Sequence, residues 1–247
     1  SLITERTKLL TICHVSNALG VVNPVRDVIS TAHAANVPVL IDAAQSAPHL
    51  PIDVQDLDCD FLVFSGHKMY AGTGIGVLYG KERYLEAMPP YQTGGGMIEN
   101  VSIGTTAYAG LPLKFEAGTP NIVGAISLAA AVDYIHEIGM DDIIGHEQEL
   151  MRYALQALSS VEDLQIYGPG VKHCGAVSFN IQGVHPYDVG LVVDRMGVAV
   201  RTGTHCAEPT MKHLGVTGTI RASFAIYNTQ HEVDVLIDAL RTARQLL

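Results

Sequence analysis

Apolar and polar residues follow two periods along the chain, and the pattern predicts strands and helices in turn. A helix is predicted over residues 24–35, where Val25, Val28, Ile29 and Ala32 fall on one face at helical spacing. Strands alternating with helices indicate an α/β fold with a mainly parallel sheet. The predicted strands of the first half are 8–14, 37–41, 61–64 and 75–79.

A long helix is predicted from Thr119, a potential cap, through Pro120 at the first helical position to a stop before Gly139. We expect this helix to separate two domains, 1–138 and 139–247. The first would be a large domain with the mainly parallel sheet. The second would be a smaller carboxyl-terminal α+β domain.

The elements predicted after residue 139 describe this smaller domain. Its last helix opens with Thr229 and Glu232, which match a capping box, and runs to Leu247. Gly197 stops the helix before it. The other predicted elements are helices over 142–158 and 187–196 and strands near 164–167, 176–181, 198–201 and 220–223.

Composition and charge argue against several classes of partner. The chain has 247 residues, 48% of them hydrophobic, which is enough for one large domain or two small ones. Its net charge of -10 disfavours nucleic acid and anionic membrane surfaces as partners. The apolar runs are much shorter than a membrane span. We therefore expect no membrane partner and a cytoplasmic location.

The four cysteines, Cys13, Cys59, Cys174 and Cys206, lie far apart in the sequence. They form no CxxC pair and no cluster with metal-ligand spacing, so we predict reduced thiols and no metal site. Cys13 and Cys59 lie in apolar, strand-like contexts and are expected in the core.

Polar side chains follow the ends of the predicted strands. Lys68 closes the run Ser65-Gly66-His67-Lys68 after one strand, and Asp42 ends another. A lysine amine can hold an aldehyde cofactor as a Schiff base, and a carboxylate can keep a pyridine nitrogen protonated. Taken singly, the two residues are better explained as a solvated lysine and a capping aspartate. Open α/β sheets bind ligands at the carboxyl ends of their strands, where these candidates lie: Asn17, Asp42, Gln45, Ser65, His67 and Lys68.

Five short motifs occur in a fixed order along the chain. They are His14-Val15-Ser16-Asn17, Asp42-Ala43-Ala44-Gln45, Ser65-Gly66-His67-Lys68, Glu116-Ala117-Gly118-Thr119-Pro120-Asn121 and Arg201-Thr202-Gly203-Thr204-His205-Cys206-Ala207. By these motifs the chain resembles a fold-type I pyridoxal phosphate enzyme of the class V aminotransferase group. Within that group it is similar to the Suf-type (group II) cysteine desulfurases, over essentially its whole length.

The resemblance implies pyridoxal 5'-phosphate as cofactor and gives its residues roles. Lys68 would bind the cofactor aldehyde and move protons at the substrate α-carbon. Asp42 would pair with the pyridine nitrogen, and Gln45 would contact the ring hydroxyl. Ser65 and His67 would hold the phosphate.

The resemblance also implies a homodimer and a substrate clamp. Thr119 would reach the phosphate of the neighbouring subunit, which makes the sites composite. Asn17 and Arg221 would bind the substrate carboxylate, Arg221 through a two-pronged pair that lysine could not reproduce. Arg201 would contact substrate or only shape the cysteine loop. His205 would assist proton transfer or only line the pocket.

Cys206 separates desulfuration from other reactions of this fold. A thiolate is the competent nucleophile, and Arg201 and His205 are cationic neighbours in sequence. The resemblance implies that L-cysteine becomes L-alanine while its sulfur forms a persulfide on Cys206. A sulfur-acceptor protein of the Suf type would then take the sulfur for iron–sulfur cluster assembly.

Two departures from the family pattern leave alternatives open. Thr204 stands where relatives commonly have histidine, which weakens a mechanism with paired histidines. By the resemblance, roughly the first third of the family's chain is absent from this sequence. In the family that segment brings the phosphate-binding loop and the aromatic or histidine residue that stacks on the cofactor. The alternatives are selenocysteine lysis, another class V reaction such as amino-acid epimerisation, against which Cys206 argues, and a non-catalytic fragment.

Overall fold

The computed structural model describes residues 2–247, which form two compact units. The first unit comprises the residues up to Ile12, Val25–Ala44 and Ile52–Glu137. The second comprises Cys13–Pro24, Gln45–Pro51 and Ile138–Leu247. Two segments that follow strands of the first unit therefore group with the second. The predicted domains, 1–138 and 139–247, place those segments in the earlier part, and that division stays a prediction.

A four-stranded sheet of order β1-β2-β3-β4 forms the centre of the first unit. Strands β2 and β3 run parallel, with Asp42 opposite Val63, whereas β3 and β4 run antiparallel. The sheet is mixed, and the predicted α/β class is confirmed. All four strands lie within two residues of their predicted bounds, the usual uncertainty at element ends. They are β1 Leu10–Cys13, β2 Val39–Asp42, β3 Phe61–Ser65 and β4 Gly76–Gly80.

Helix α1 buries the face that the sequence predicts. Val25, Ile29 and Ala32 are buried, and Val28 is partly buried. Several short elements of this unit were not predicted, because they are too short to show a period. They are the helices α2 Val54–Leu57 and α3 Glu82–Ala87 and the hairpin β5 Ile98–Val101 with β6 Thr106–Tyr108. Helix α1, which was predicted, spans Val25–Ala34.

Helix α4, Ile122–Ile138, begins two residues later than predicted. Asn121 rather than Thr119 caps it, because the Asn121 Oδ1 accepts a hydrogen bond from the Gly124 amide at 3.0 Å. The Asn121 amide nitrogen also donates to the Gly74 carbonyl at 2.9 Å, which fixes the cap against the loop before β4. Thr119 and Pro120 are exposed residues ahead of the helix.

The second unit contains a four-stranded antiparallel sheet of order β7-β8-β10-β9 with helices packed on it. Phe179 and Ile220 are fully buried in its core beside Leu150 and Leu240 from two helices. The strands are β7 Leu164–Ile166, β8 Ala176–Ile181, β9 Arg201–Gly203 and β10 Thr219–Ser223. The helices are α5 Met140–Leu158, α6 Pro186–Arg195, α7 Glu208–Leu214 and α8 Gln230–Leu246.

The helix start and stop residues predicted for this unit are confirmed. Thr229 and Glu232 form the predicted capping box of α8, and Gly197 follows α6 with a positive φ of 81°. Helix α7 was not predicted. Within residues 2–247 no single helix is long and apolar enough to cross a membrane, although α4 and α5 pass that test when counted together as one bent pair.

Candidate active site

The carboxyl ends of β2 and β3 carry the predicted cofactor residues of the first unit. Asp42 is the last residue of β2 and is exposed, and its Oδ1 accepts a hydrogen bond from the Ala44 amide at 2.9 Å. Ser65 is the last residue of β3, and His67 and Lys68 follow in a short 3-10 turn. Because β2 and β3 are parallel neighbours, these residues lie at the same edge of the sheet.

Gly66 explains why the turn after β3 is so tight. A Cβ at this position would lie 2.6 Å from the Ile75 Cγ2, and the Gly66 amide donates to the Ile75 carbonyl at 2.9 Å. Tyr70 ends the turn with a positive φ of 65°. The motif's glycine therefore lets the turn pack on the chain entering β4. His67 is left exposed and Lys68 partly buried just beyond the strand end.

The remaining predicted cofactor residues lie in other parts of the chain. Thr119 is exposed after a fixed turn, in which the Gly118 amide donates to the Gly95 carbonyl at 2.8 Å and Gly118 has a φ of 80°. Gln45 is partly buried in a turn that belongs to the second unit, whereas Asp42 belongs to the first.

In the second unit, hydrogen bonds join Asn17, His205 and Arg221. The Asn17 side-chain amide donates to the His205 carbonyl at 2.7 Å. One Arg221 terminal nitrogen donates to the Asn17 carbonyl at 2.6 Å. The Arg221 Nε is buried and has no partner among the described residues. The structure thus brings together Asn17 and Arg221, which lie 204 positions apart in the sequence, and their role as a substrate clamp stays a prediction.

Arg201 and Cys206 lie at the ends of a short loop with unusual backbone angles. His205 and Cys206 have positive φ values of 54° and 59°, and Gly203 has 118°. A positive φ is uncommon for residues other than glycine, and two in succession mark a conformation that the surroundings must impose. The Arg201 Nη2 lies 3.9 Å from the sulfur of Cys206, which is exposed.

The His205 side chain anchors this loop from inside. It is 2% exposed, and its Nε2 lies 2.9 Å from the Thr219 hydroxyl and 3.1 Å from the Thr219 carbonyl. Burial, and then the positive charge of Arg221, lowers the pKa of the His205 imidazole. Burial, and then the charge of Arg201, also lowers the pKa of Arg221. A neutral, buried imidazole bonded to β10 holds the loop while Cys206 faces outward.

Sequence reasoning missed two residues that shape the loop. Thr219 accepts the His205 contact, and Gly218 has no room for a side chain because a Cβ would lie 3.0 Å from the Gly203 backbone. Both stand in β10 or just before it, where no chemical signal distinguishes them from ordinary strand residues. All four cysteines are thiols, as predicted. No metal-ligand group of three or more acidic, histidine or cysteine side chains occurs within residues 2–247.

Comparison with known proteins assigns the class. The family model of the class-V aminotransferases matches residues 1–236, and the chain belongs to this family. A cysteine desulfurase of Pectobacterium atrosepticum is 53% identical over 247 residues, which are 100% of this chain and 60% of the relative. A probable cysteine desulfurase of Halalkalibacterium halodurans is 52% identical over 243 residues, which are 98% of this chain and 60% of that protein.

Solved cysteine desulfurases share the fold. The enzyme CsdA from Escherichia coli superposes with a TM-score of 0.93 at 41% identity, over 100% of this chain and 61% of that one. An apo cysteine desulfurase from Thermococcus onnurineus NA1 also gives 0.93, at 44% identity, over 97% of this chain and 60% of that one. These matches confirm the fold-type I transferase fold. The chain spans about 60% of the length of the curated relatives it matches.

Proposed function

We propose that this chain carries the catalytic lysine and the persulfide-forming cysteine of a pyridoxal phosphate-dependent cysteine desulfurase. The enzyme would convert L-cysteine to L-alanine and leave the sulfur on Cys206. The observation that carries the proposal is the Cys206 loop. Its thiol is exposed, its backbone is held in a left-handed conformation, and a guanidinium from Arg201 lies beside the sulfur. An ordinary buried cysteine needs none of these features.

The residues at the sheet edge of the first unit fit pyridoxal 5'-phosphate by their chemistry. Lys68 supplies an amine for the aldehyde, and the exposed Asp42 carboxylate supplies a partner for the pyridine nitrogen. Ser65 and His67 supply donors for the phosphate, and we assign Gln45 to the ring hydroxyl. When bound, this cofactor withdraws electrons from the substrate α-carbon.

Arg221 and Asn17 would hold the substrate carboxylate. The buried Arg221 Nε has no partner among the described residues, and Arg201 lies opposite Arg221 on the neighbouring strand. An anion would relieve the repulsion between these two guanidinium groups and would satisfy the Nε. A planar guanidinium can bind both oxygens of a carboxylate, so the α-carboxylate of an amino acid suits this position.

The sulfur step divides between Lys68 and Cys206. Lys68 would take the proton from the substrate α-carbon. The Cys206 thiolate would attack the substrate sulfur, so the substrate carbon–sulfur bond breaks and a sulfur–sulfur bond forms. The Cys206 sulfur is oxidised to a persulfide, and the substrate β-carbon is reduced and gains a proton to give alanine. His205 would act as a positioning residue, because its Nε2 already contacts Thr219.

A homodimer, a Suf-type sulfur acceptor and a cytoplasmic location complete the proposal. Helix α4 is mostly apolar, and its Ile122, Val123 and Ile126 are exposed, which suits a surface covered by a second subunit. Thr119 precedes this helix and would complete the partner's phosphate site. The exposed Cys206 would pass its sulfur to the acceptor, which supplies iron–sulfur cluster assembly. Thiol chemistry of this kind needs a reducing compartment.

Product analysis with two substrates tests the proposed reaction. The protein is incubated with pyridoxal phosphate and either L-cysteine or L-selenocysteine, and alanine is measured by mass spectrometry. Alanine from L-cysteine is expected, together with sulfide after a thiol reductant is added. Alanine from L-selenocysteine alone would instead support a selenocysteine lyase. D-cysteine as the product would indicate an epimerase, and the lack of any cofactor absorbance would indicate a non-catalytic protein.

Reduction with borohydride tests the cofactor site separately. The reduced protein is digested, and the lysine that carries the cofactor is identified by peptide mapping. Lys68 is expected to be labelled, and the label should disappear in Lys68→Ala. Label on another lysine would show that the cofactor assignment is wrong.

A further inference from the structure

A buried acid–base pair links the turn after the Asp42-Ala43-Ala44-Gln45 motif to helix α5. The His49 Nδ1 lies 2.8 Å from the Glu147 Oε2, and the two side chains are only 10% and 8% exposed. A buried pair of this kind is weak evidence for stability, because removing both groups from water offsets much of their attraction. Its best attested use is to specify one conformation over others.

Gly175 holds the other side of the His49 ring. A Cβ at Gly175 would lie 2.6 Å from the His49 Nε2, and Gly175 has a positive φ of 66°. The imidazole is therefore held between a carboxylate and a stretch of backbone. His49, Glu147 and Cys174 line a cavity of about 20 Å³, which is room for one water molecule beside the Glu147 Oε1.

The turn at Cys174 and Gly175 also meets the segment that carries Asn17. The Cys174 amide donates to the Gly20 carbonyl at 2.8 Å, and Gly20 is so close to β8 that a Cβ there would overlap the Ala176 carbonyl at 1.8 Å. The same few backbone atoms of the second unit thus fix the segments 13–24 and 45–51. These segments carry the proposed substrate ligand Asn17 and the proposed cofactor ligand Gln45.

We propose that His49 and Glu147 are a positioning pair that fixes the turn bearing Gln45. Within this turn the His49 and Leu50 amides donate to the Ser46 carbonyl at 3.0 and 2.8 Å, so the His49 side chain and Gln45 belong to one short folded unit. Anchoring the imidazole on α5 would therefore fix the backbone from which the Gln45 side chain extends. The role of Gln45 toward the cofactor rests on the proposed function, whereas the fixing of the turn does not.

Amide hydrogen exchange of the protein without cofactor tests the fixing of the turn. In Glu147→Leu, which keeps the volume but removes the acceptor, segment 43–51 should exchange about tenfold faster or more. Glu147→Gln keeps an acceptor for the Nδ1 proton and should retain the original rate. Glu149→Leu, an exposed position on the same helix, is the matched control and should change nothing. Strand β10 serves as the internal reference.

His49→Asn has a shorter side chain and removes the hydrogen bond from its other end. It should give the same result, so the test does not depend on one variant folding. Unchanged exchange in segment 43–51 would overturn the proposal. Equal acceleration in β10 would overturn it too, because the pair would then only stabilise the whole unit.

The cofactor spectrum tests the link to Gln45. Gln45→Ala and Glu147→Leu should shift the pH titration of the cofactor absorbance in the same direction, and the double variant should shift it no further. Additive shifts, or no shift in Glu147→Leu, would contradict positioning of Gln45. If neither the original protein nor any variant takes up cofactor, the proposed function fails. The exchange measurement would still decide whether the pair fixes the turn.

Discussion

Arg201 and Arg221 are direct partners across the antiparallel pair β9 and β10. Like charges at opposite positions of a sheet destabilise it, and here the charge of Arg201, together with burial, lowers the pKa of Arg221. A single strand pair thus concentrates positive charge next to the Cys206 loop. An anionic substrate bound between the two guanidinium groups would offset their repulsion.

Arg221→Lys should lower kcat/KM for L-cysteine by roughly 10- to 100-fold, because a charge-assisted pair contributes about 1.5–3 kcal/mol and lysine cannot bind both carboxylate oxygens. Steady-state kinetics with alanine detection measures the effect. Arg241→Lys is the control, since Arg241 is an exposed residue of α8 paired with Asp238 at 3.5 Å. Equal kinetics for Arg221→Lys and the original protein would exclude the proposed carboxylate clamp.

Substitutions at Thr119 and Asn121 distinguish a residue that caps helix α4 from a residue that contacts the cofactor. Asn121→Ala removes the cap of α4 and should reduce the free energy of unfolding by about 1 kcal/mol. Thr119→Ala should change stability by less than about 0.5 kcal/mol, yet it should weaken cofactor retention in the proposed dimer. Chemical denaturation and equilibrium dialysis of the cofactor measure the two effects. If Thr119→Ala retains cofactor fully, Thr119 has no role in a composite site.

The buried His205 should make the folded state sensitive to acid. Its pKa is lowered by burial, so near pH 6 the folded state binds fewer protons than the unfolded state does. This contribution to stability is therefore present above the ordinary histidine pKa of about 6.5 and is lost as pH falls below it. His14, whose pKa is also lowered by burial, adds to the same trend.

His205→Asn should flatten this pH dependence, since asparagine tolerates a positive φ and does not titrate. The free energy of unfolding is measured at about pH 7.5 and about pH 5.5, on either side of the ordinary histidine pKa. His213→Asn, at an exposed position of α7, should leave the difference unchanged. An equally steep loss of stability in His205→Asn would mean that His205 does not titrate as proposed.

Local signals in the sequence predicted much of this structure, and long-range contacts account for what they missed. The capping box of Thr229 and Glu232 needs only residues three apart, so it could be recognised directly. The start of α4 was placed wrongly because Thr119 and Asn121 are both acceptable caps. Asn121 accepts from the Gly124 amide and also donates to Gly74, a contact across 47 positions that no local pattern shows.

The candidate site shows the same division. Motifs indicated Lys68 and Cys206 as candidates, but no local pattern could show that the Asn17 side chain donates to the His205 carbonyl, because those residues are 188 positions apart. Nor could periodicity show that His205 is buried against Thr219. The sequence therefore indicated candidate residues for the chemistry, whereas the structure was needed to find which side chains contact them.

The other thiols for which burial shifts the pKa are poor competitors for Cys206. Burial, and then Glu147, raises the pKa of Cys174 to about 12. Burial also raises the pKa of Cys59. Both are therefore held as thiols, and a thiol is a much weaker nucleophile than a thiolate. Cys206 is exposed and has Arg201 beside its sulfur.

The site of the persulfide in a single turnover tests the central claim most directly. The protein loaded with cofactor is mixed with L-cysteine without reductant, and alanine and the modified peptide are measured by mass spectrometry. The original protein and the control Cys174→Ala should release alanine and carry one persulfide, on Cys206. Cys206→Ala should still bind cofactor and cysteine but release no alanine. Alanine release from L-cysteine by Cys206→Ala, or a persulfide found only on Cys13, Cys59 or Cys174, would contradict the proposed function.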